Sequence, residues 1–272
     1  MTEKAIAIIQ ARMSSTRLPG KVLKTLAGLP MLSHIVSRAR SCQHVDQVVV
    51  ATSIEASDDP LVDYCNDSGI PCYRGSLGDV LSRYIDVLEM NSNRYYVRIT
   101  GDCPLIDPDF IDRQIEALVA HDGDQIYLVL PAPVLCGQGV HSVRSLRHIA
   151  ARSSHPDDCE HVGSRYQAEH PEQFRIIGLT PPEELTEPNW RVTVDEINDY
   201  KMMQALYSAL WDGKPIAFTE ALAWMSQHPE LASINRSVAQ SSINQELSAK
   251  QISWMEHVAL FCDWNDPRLI EC

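Results

Sequence analysis

Arg12, Arg17 and Lys21 set three cations within ten residues, an R-x4-R-x3-K pattern that also carries the hydroxyls of Ser14, Ser15 and Thr16. Three cations on one loop can surround a polyphosphate, whereas a surface ion pair needs only one. Two carboxylates could complement them. Asp102 stands in the run Thr100-Gly101-Asp102-Cys103-Pro104-Leu105, and Asp195 ends the run Arg191-Val192-Thr193-Val194-Asp195. Each follows a strand-like stretch. Oxygen donors there suit a hard cation such as Mg2+, which takes one or two carboxylates and completes its shell with phosphate oxygens and water. If these side chains converge, they form a metal–polyphosphate site. The plainer reading makes each aspartate a turn residue or helix cap, with Asp195 and Asn198 both able to cap the helix that follows. The two commonest phosphate motifs are missing from the cationic loop. A P-loop requires glycine at position 15 and Ser or Thr at 22, where the chain has Ser15 and Val22, and no G-x-G-x-x-G occurs in this first turn.

The elements that must position these groups follow from apolar patterning. Residues 5–9 are five apolar residues in a row, which predicts a strand buried on both faces. The cationic loop follows it, and Pro19-Gly20 closes a turn. A buried strand feeding such a loop sets backbone N–H groups and positive charge at the carboxyl end of a sheet, where open α/β sheets bind ligands. Further strands are predicted at 47–52, 70–73, 94–100 and 125–130, and helices at 60–66, 79–90 and from Asp107-Pro108 to about 120. Residues 22–26 and 31–40 also show helical spacing. Strands alternating with helices predict an α/β domain with a mainly parallel sheet flanked by helices. The pattern loosens beyond residue 130. Gly137 and Gly139 mark an irregular connection, 143–151 and 157–169 look helical, and 174–179 and 190–194 look like strands, with an antiparallel arrangement open to them. Strong helices are expected at 199–211 and 219–227. The domain is expected to span 1–231, with residues 131–190 as a smaller acceptor-side insertion and possible dimerisation part and 232–272 as a helical tail whose Trp254 and Trp264 could mark a subunit contact.

Composition narrows the function. The chain has 272 residues and a net charge of −13, which argues against general nucleic-acid binding. Residues 1–45 nevertheless hold seven Lys and Arg against Glu3 alone, a local balance of +6 in a chain whose remainder carries −19. A positive segment in an acidic protein suits a compact anionic ligand. No apolar run approaches a membrane span, and no export leader is evident. The eight cysteines form no C-x-x-C pair, so reduced thiols and a cytoplasmic location are expected. His155, Cys159 and His161 lie within seven residues, but a helix from 157 would not set all three on one face and no fourth zinc ligand is apparent.

The opening IIQARMSSTRLPGKVL resembles the N-terminal signature of SpsF-type cytidylyltransferases, relatives of CMP-sialate and CMP-KDO synthetases. VVVATS, YRGSLGDVLSRY, RITGDCPLIDP, CEHV and RVTVDEINDY agree in order, over residues 4–211. The resemblance implies a nucleotide-diphospho-sugar transferase-like fold and transfer of CMP from CTP to an acceptor, with pyrophosphate released. It implies that Arg12 and Lys21, assisted by Arg17, hold the triphosphate. Gln10, Ala11, Thr52, Ser53, Arg74, Gly75 and Ser76 would surround cytosine and ribose, with Asp79 and Gly101 close by, and Asp102 and Asp195 would coordinate Mg2+. A homodimer is common among similar proteins. Departures fall in the acceptor half. Where the family often reads G-[LFI]-D-[VA]-E, this chain has Gly137-Gln138-Gly139-Val140-His141, so both acidic positions are replaced. The R-E-H-V element appears as Cys159-Glu160-His161-Val162, without its arginine. Gln138, His141, Glu160 and His161 are the acceptor candidates, and the lost carboxylates favour an anionic acceptor: a sugar acid, a phosphonate or a phosphorylated metabolite. Two alternatives stay open: a nucleotidyltransferase using another NTP, and a catalytically silent nucleotide-binding sensor or scaffold.

Overall fold

The first strand, β1 (Ala5–Gln10), lies at the centre of the molecule, and Ala5 to Ile9 are fully buried. A continuous apolar run is what a strand needs when helices cover both faces of its sheet. The structure is a computed structural model and describes residues 3–186, 190–238 and 252–270. Along the chain follow a small hairpin of β2 (Thr25–Leu26) and β3 (Leu29–Pro30), then α1 (Met31–Ser41), β4 (Val45–Ser53), α2 (Asp59–Asp67), β5 (Cys72–Gly75), α3 (Val80–Glu89) and β6 (Tyr95–Thr100). Next come α4 (Pro108–His121), β7 (Gln125–Leu128), β8 (Gln138–Ser142), α5 (Val143–Ala150), α6 (Pro156–His161), α7 (Ser164–Glu169) and β9 (Ile176–Leu179). The last elements are α8 (Glu183–Thr186), α9 (Ile197–Leu210), α10 (Phe218–Gln227), α11 (Pro229–Ala232) and β10 (Val258–Cys262).

Eight strands form one sheet in the order β10-β9-β7-β8-β6-β1-β4-β5, and only β8 runs antiparallel to its neighbours. Strand side chains alternate between faces. Ala5, Ala7 and Ile9 pack with Leu32 and Ile35 of α1, Leu61 of α2 and Ile115 of α4. Ile6 and Ile8 pack on the other face with Leu81 and Tyr84 of α3 and Leu146 and Ile149 of α5. A further core joins α9 and α10 to Leu18, Leu26, Leu105, Val192 and Val194. It therefore anchors the cationic loop and both aspartate-bearing segments to one helical pair.

Several predicted elements take another form. Residues 21–23 make a single 3-10 turn, and Ala27 and Gly28, with φ of 46° and 85°, close the β2–β3 hairpin where a helix is expected. Residues 138–142 are a strand in mid-sheet, not an irregular connection. The helix expected over 157–169 breaks into α6 and α7 because Val162 and Gly163 take left-handed φ of 55° and 76°. The strand β9 is parallel to both its neighbours, and residues 190–194 form no strand. The expected helical tail instead supplies β10, which covers the edge of β9. Its Trp254 is buried near Tyr127, and Trp264 stacks on Phe110 at 5.7 Å, so both tryptophans pack within the chain. Residues 239–251 of that tail lie outside the described residues.

Candidate active site

The carboxyl ends of β1 and β6 meet where Gly101 N–H donates to the Gln10 carbonyl at 2.9 Å. A Cβ at position 101 would stand 2.9 Å from that oxygen and 3.0 Å from the Ala11 Cβ, so the approach requires glycine. The loop leaving β1 is stitched at three points. Ala11 N–H donates to the Ala51 carbonyl, Gly20 N–H to the Met13 carbonyl at 2.9 Å, and Met13 N–H to Asp58 Oδ1 at 2.7 Å. Asp58 is fully buried and also accepts from Thr52 Oγ1, Ser53 N and Ser53 Oγ. It is thus the hub fastening the cationic loop to the end of β4, a role that its sequence position as a helix cap conceals. Thr52 and Ser53 are fully buried with their hydroxyls given to Asp58, so they shape the loop and offer no free donor to a ligand.

The core of the site is a charge cluster. Lys21 Nζ donates to Asp102 Oδ2 at 3.1 Å and Asp195 Oδ1 at 2.9 Å. Burial works against the ammonium charge, but Asp102 and Asp195 outweigh it and hold the Lys21 pKa above the ordinary lysine value. Arg17 adds a contact of 3.0 Å to the same Asp195 oxygen, and Arg191 Nη2 donates to Asp195 Oδ2 at 2.5 Å. Burial alone would raise the Asp195 pKa; Lys21, Arg17 and Arg191 together pull it below the usual carboxylate value. The two aspartate segments are also joined directly, since Val194 N–H donates to the Asp102 carbonyl at 2.8 Å.

Asp195 is free for this work because it does not cap α9. Glu196 is the N-cap, in a reciprocal capping box with Asp199. Asp199, fully buried, accepts from the Asp195 and Glu196 N–H groups at 2.9 Å each, from Arg191 Nε and from Asn235 Nδ2. Sequence patterning reveals neither Arg191 nor Asp199 as part of the site, although their spacing of four and eight residues from Asp195 and Arg191 places them beside it in the folded turn.

The remaining candidates separate into two groups. Arg12 Nη2 stands 3.6 Å from Glu160 Oε1 of α6. Neighbouring His161 is held below the ordinary histidine pKa, chiefly by burial and then by Arg98, with Glu160 and Asp157 opposing. Gln10 Oε1 accepts from Arg98 Nε at 3.1 Å and from Tyr84 OH at 3.3 Å. These groups face one cleft side of the sheet. His141 shares that face, stacked on Tyr96 at 5.5 Å; burial, then Arg98, pushes its pKa down to about 3. Gln138 does not join them. Lying three residues from His141 on one strand, it points to the opposite face, where its Oε1 accepts from Asp107 N–H at 2.5 Å. Arg74 clamps the Ser53 and Glu55 carbonyls and pairs with Asp59 at 2.8 Å, and Gly75 lies against the Arg83 side chain. Asp79 caps α3 through Ser82 N–H at 2.9 Å, while Ser76 is exposed.

Among the described residues no group of three or more His, Cys, Asp and Glu forms a metal cage. Asp102 and Asp195 nevertheless converge on one point, occupied by the Lys21 ammonium. That donor set matches a cation completed by phosphate oxygens and water, and not a metal held by protein alone. Among the described residues no helix is long and apolar enough to cross a membrane.

Comparison with known proteins gives the family and the fold. The chain is 34% identical over 230 residues to the spore coat polysaccharide biosynthesis protein SpsF of Bacillus subtilis, covering 83% of this chain and 95% of that one. It is 37% identical over 127 residues to a 3-deoxy-manno-octulosonate cytidylyltransferase of Solibacter usitatus, 46% of this chain and 48% of the relative. The fold superposes on a cytidylyltransferase from Leptospira borgpetersenii with a TM-score of 0.78 and 26% identity, over 88% of this chain and all of that one (100%). The sheet and its flanking helices are those of the nucleotide-diphospho-sugar transferase fold. Since the cytidylyltransferase family profile spans residues 6–227, Asp102, Asp195 and the whole cationic loop fall inside it, and the chain belongs to the cytidylyltransferase family of enzymes.

Proposed function

We propose that this enzyme transfers CMP from CTP to an anionic small-molecule acceptor in a Mg2+-dependent reaction that releases pyrophosphate. The observation that carries the reading is the meeting of Lys21, Asp102 and Asp195 at the mouth of the β1 loop, with Arg17 on the same carboxylate. An acceptor oxygen attacks the α-phosphorus of CTP, the new P–O bond forms, and the bond to the pyrophosphate oxygen breaks. Such a step is accelerated by positioning and by cations aimed at the phosphate charge. Arg12, Arg17 and Lys21 are the groups of this chain that would hold the triphosphate. Asp102 and Asp195 would hold Mg2+, which supplies Lewis-acid neutralisation of the phosphate oxygens. An acceptor already ionised needs no general base. Support for an anionic acceptor comes from position 139, which is glycine, and position 141, a histidine kept uncharged, where the family often carries two carboxylates. The Solibacter relative is named for a sugar acid.

The test is pyrophosphate release by the purified protein with Mg2+, each of the four NTPs, and a panel of sugar acids, phosphonates, sugar phosphates, neutral sugars and amines. Turnover is expected with CTP and an anionic acceptor. Preference for another NTP, or turnover only with neutral or cationic acceptors, overturns the corresponding half of the reading. Asp102→Asn should abolish turnover while the protein stays folded; activity near wild type would remove Asp102 from the metal site.

A further inference from the structure

Arg98 is a cation without a counter-charge. Lys21, Arg17 and Arg191 all rest on carboxylates, but Arg98 has none among the described residues. Its Nε donates to Gln10 Oε1 at 3.1 Å and its Nη1 to Ser164 Oγ at 3.0 Å, both neutral acceptors. Its Nη2 has no partner among the described residues. Arg38 and Arg83 also lack carboxylate partners among the described residues, yet each is only 2% exposed, and each donates to main-chain carbonyls away from solvent, with Arg83 Nε left without a partner. Arg98 is half-buried, on the face of β6 that continues the Gln10 end of β1.

Across the β6–β8 ladder Arg98 pairs with Gly139, which brings no side chain of its own, and the His141 ring leans toward that glycine, its Nε2 3.0 Å from where a Cβ would stand. The turn between α6 and α7 brings Ser164 and His161 to the other side of Arg98. His141 and His161 both feel its charge and remain neutral, so neither competes for an anion as a second fixed cation would. Gln10 links Arg98 to the first residues of the triphosphate loop. A guanidinium partly withdrawn from water and left unpaired is unfavourable, and an incoming anion offsets that cost. The planar fork of arginine matches carboxylate and phosphate oxygens in a way that an ammonium does not.

We propose that Arg98 is the specificity-determining anchor of the acceptor, binding a carboxylate or phosphate group distinct from the attacking oxygen. This rests on the reading of the acceptor as an anion. The anchored group would lie on the floor made by β6 and Gly139, beside the wall formed by Arg12 and Glu160.

The experiment is calorimetric titration of gluconate, glucose 6-phosphate and glucose into the full chain, with and without saturating CTP, in EDTA so that no turnover occurs. At least one anion is expected to bind wild type while glucose does not, and which anion binds separates carboxylate from phosphate recognition. Arg98→Gln is expected to weaken that anion about tenfold or more, the scale of a charge-assisted hydrogen bond, with CTP affinity kept within about twofold. If Arg98→Gln does not fold, Arg98→Lys carries the test, with a severalfold weaker anion expected at unchanged CTP affinity. Anion binding that survives these substitutions, equal loss of CTP and anion, or no anion binding to wild type overturns the anchor. Failure of CTP to bind wild type in a separate titration with Mg2+ and no acceptor is a different result: it overturns the cytidylyl-transfer reading, while the CTP-free titrations still decide the role of Arg98.

Discussion

The two sides of the proposed site treat charge in opposite ways. Beside the cationic loop, Lys21, Arg17 and Arg191 share Asp102, Asp195 and Asp199, so that each cation has a carboxylate partner. On the β6–β8 side, among the described residues, Arg98 has only neutral partners, and buried polar atoms of Gln125 and His141 have none. A closed network is fixed before any substrate arrives, which is what electrostatic preorganisation requires. An open one keeps binding capacity that a ligand can fill.

Breaking the closed network should have the largest effect. Asp199→Ala removes one of the two carboxylate partners of Arg191, the acceptor for two N–H groups and the Asn235 amide, and the second half of the α9 capping box. Because Asp199 is fully buried, the loss leaves these donors without their acceptor together, and the expected cost is about 3–5 kcal/mol. Urea denaturation checks it, and a cost below about 1 kcal/mol would mean that the network does not hold α9 in place. Next in size is Lys21→Ala. It leaves Asp102 and Asp195 facing each other without the ammonium between them. Pyrophosphate release under saturating Mg2+ should fall by about 100- to 1,000-fold, as for other lost charge-stabilising donors. A loss confined to KM would show that Lys21 serves ground-state binding alone.

What the sequence makes legible follows this same division. The five apolar residues of β1 predict a two-face-buried strand because no other element tolerates such a run at that length, and the cationic loop is contiguous. Asp102 and Asp195 are legible as strand-end carboxylates, but their meeting on Lys21 depends on contacts 81 and 174 residues apart. Asp58 and Asp199 escape notice because a buried carboxylate and a surface helix cap have the same local sequence. The strand β8 is hidden by its glycines. Gly137, at φ 71°, sits where a Cβ would be 2.2 Å from Cys103 Sγ, and Gly139 lies opposite Arg98. Both look like chain breakers until the neighbouring strand is known. Once β8 is missed, the strand parity that sets Gln138 and His141 on opposite faces is missed with it, and so is Arg98.

A smaller effect probes the open half through pH. His141 is held at about 3, against the ordinary histidine value, by burial and by Arg98 from β6, with Asp124 opposing from the start of β7. The unfolded chain therefore takes up a proton as pH falls through about 6.5, while the folded chain resists until about 3. Stability carried by this group is present above that range and is lost as pH drops through it. His34 and His161 are shifted in the same direction, so the wild-type slope sums several histidines. His141→Asn should flatten part of it. Urea midpoints for both proteins, taken between about pH 7.5 and about pH 4.5, give the comparison. Parallel slopes would mean that His141 is solvated and lies outside the dry floor.

The smallest effect, and the sharpest contrast with Asp199, is expected at Gln125. It is 1% exposed, it pairs with His141 across the β7–β8 ladder, and neither polar atom of its amide has a partner among the described residues. An amide buried without hydrogen bonds has already lost its hydration, so replacing it with an apolar side chain of similar size removes a penalty and no bond. Gln125→Leu should therefore leave stability unchanged or raise it by up to about 1 kcal/mol, at nearly constant urea m-value. Two substitutions of buried polar residues, at 199 and 125, are then separated by several kcal/mol in opposite directions because one sits in a completed network and the other does not. A loss of more than about 2 kcal/mol in Gln125→Leu would show that a bound water satisfies the amide. The floor beneath Arg98 would then be as closed as the triphosphate corner, and the division of the cleft would have to rest on Arg98 alone.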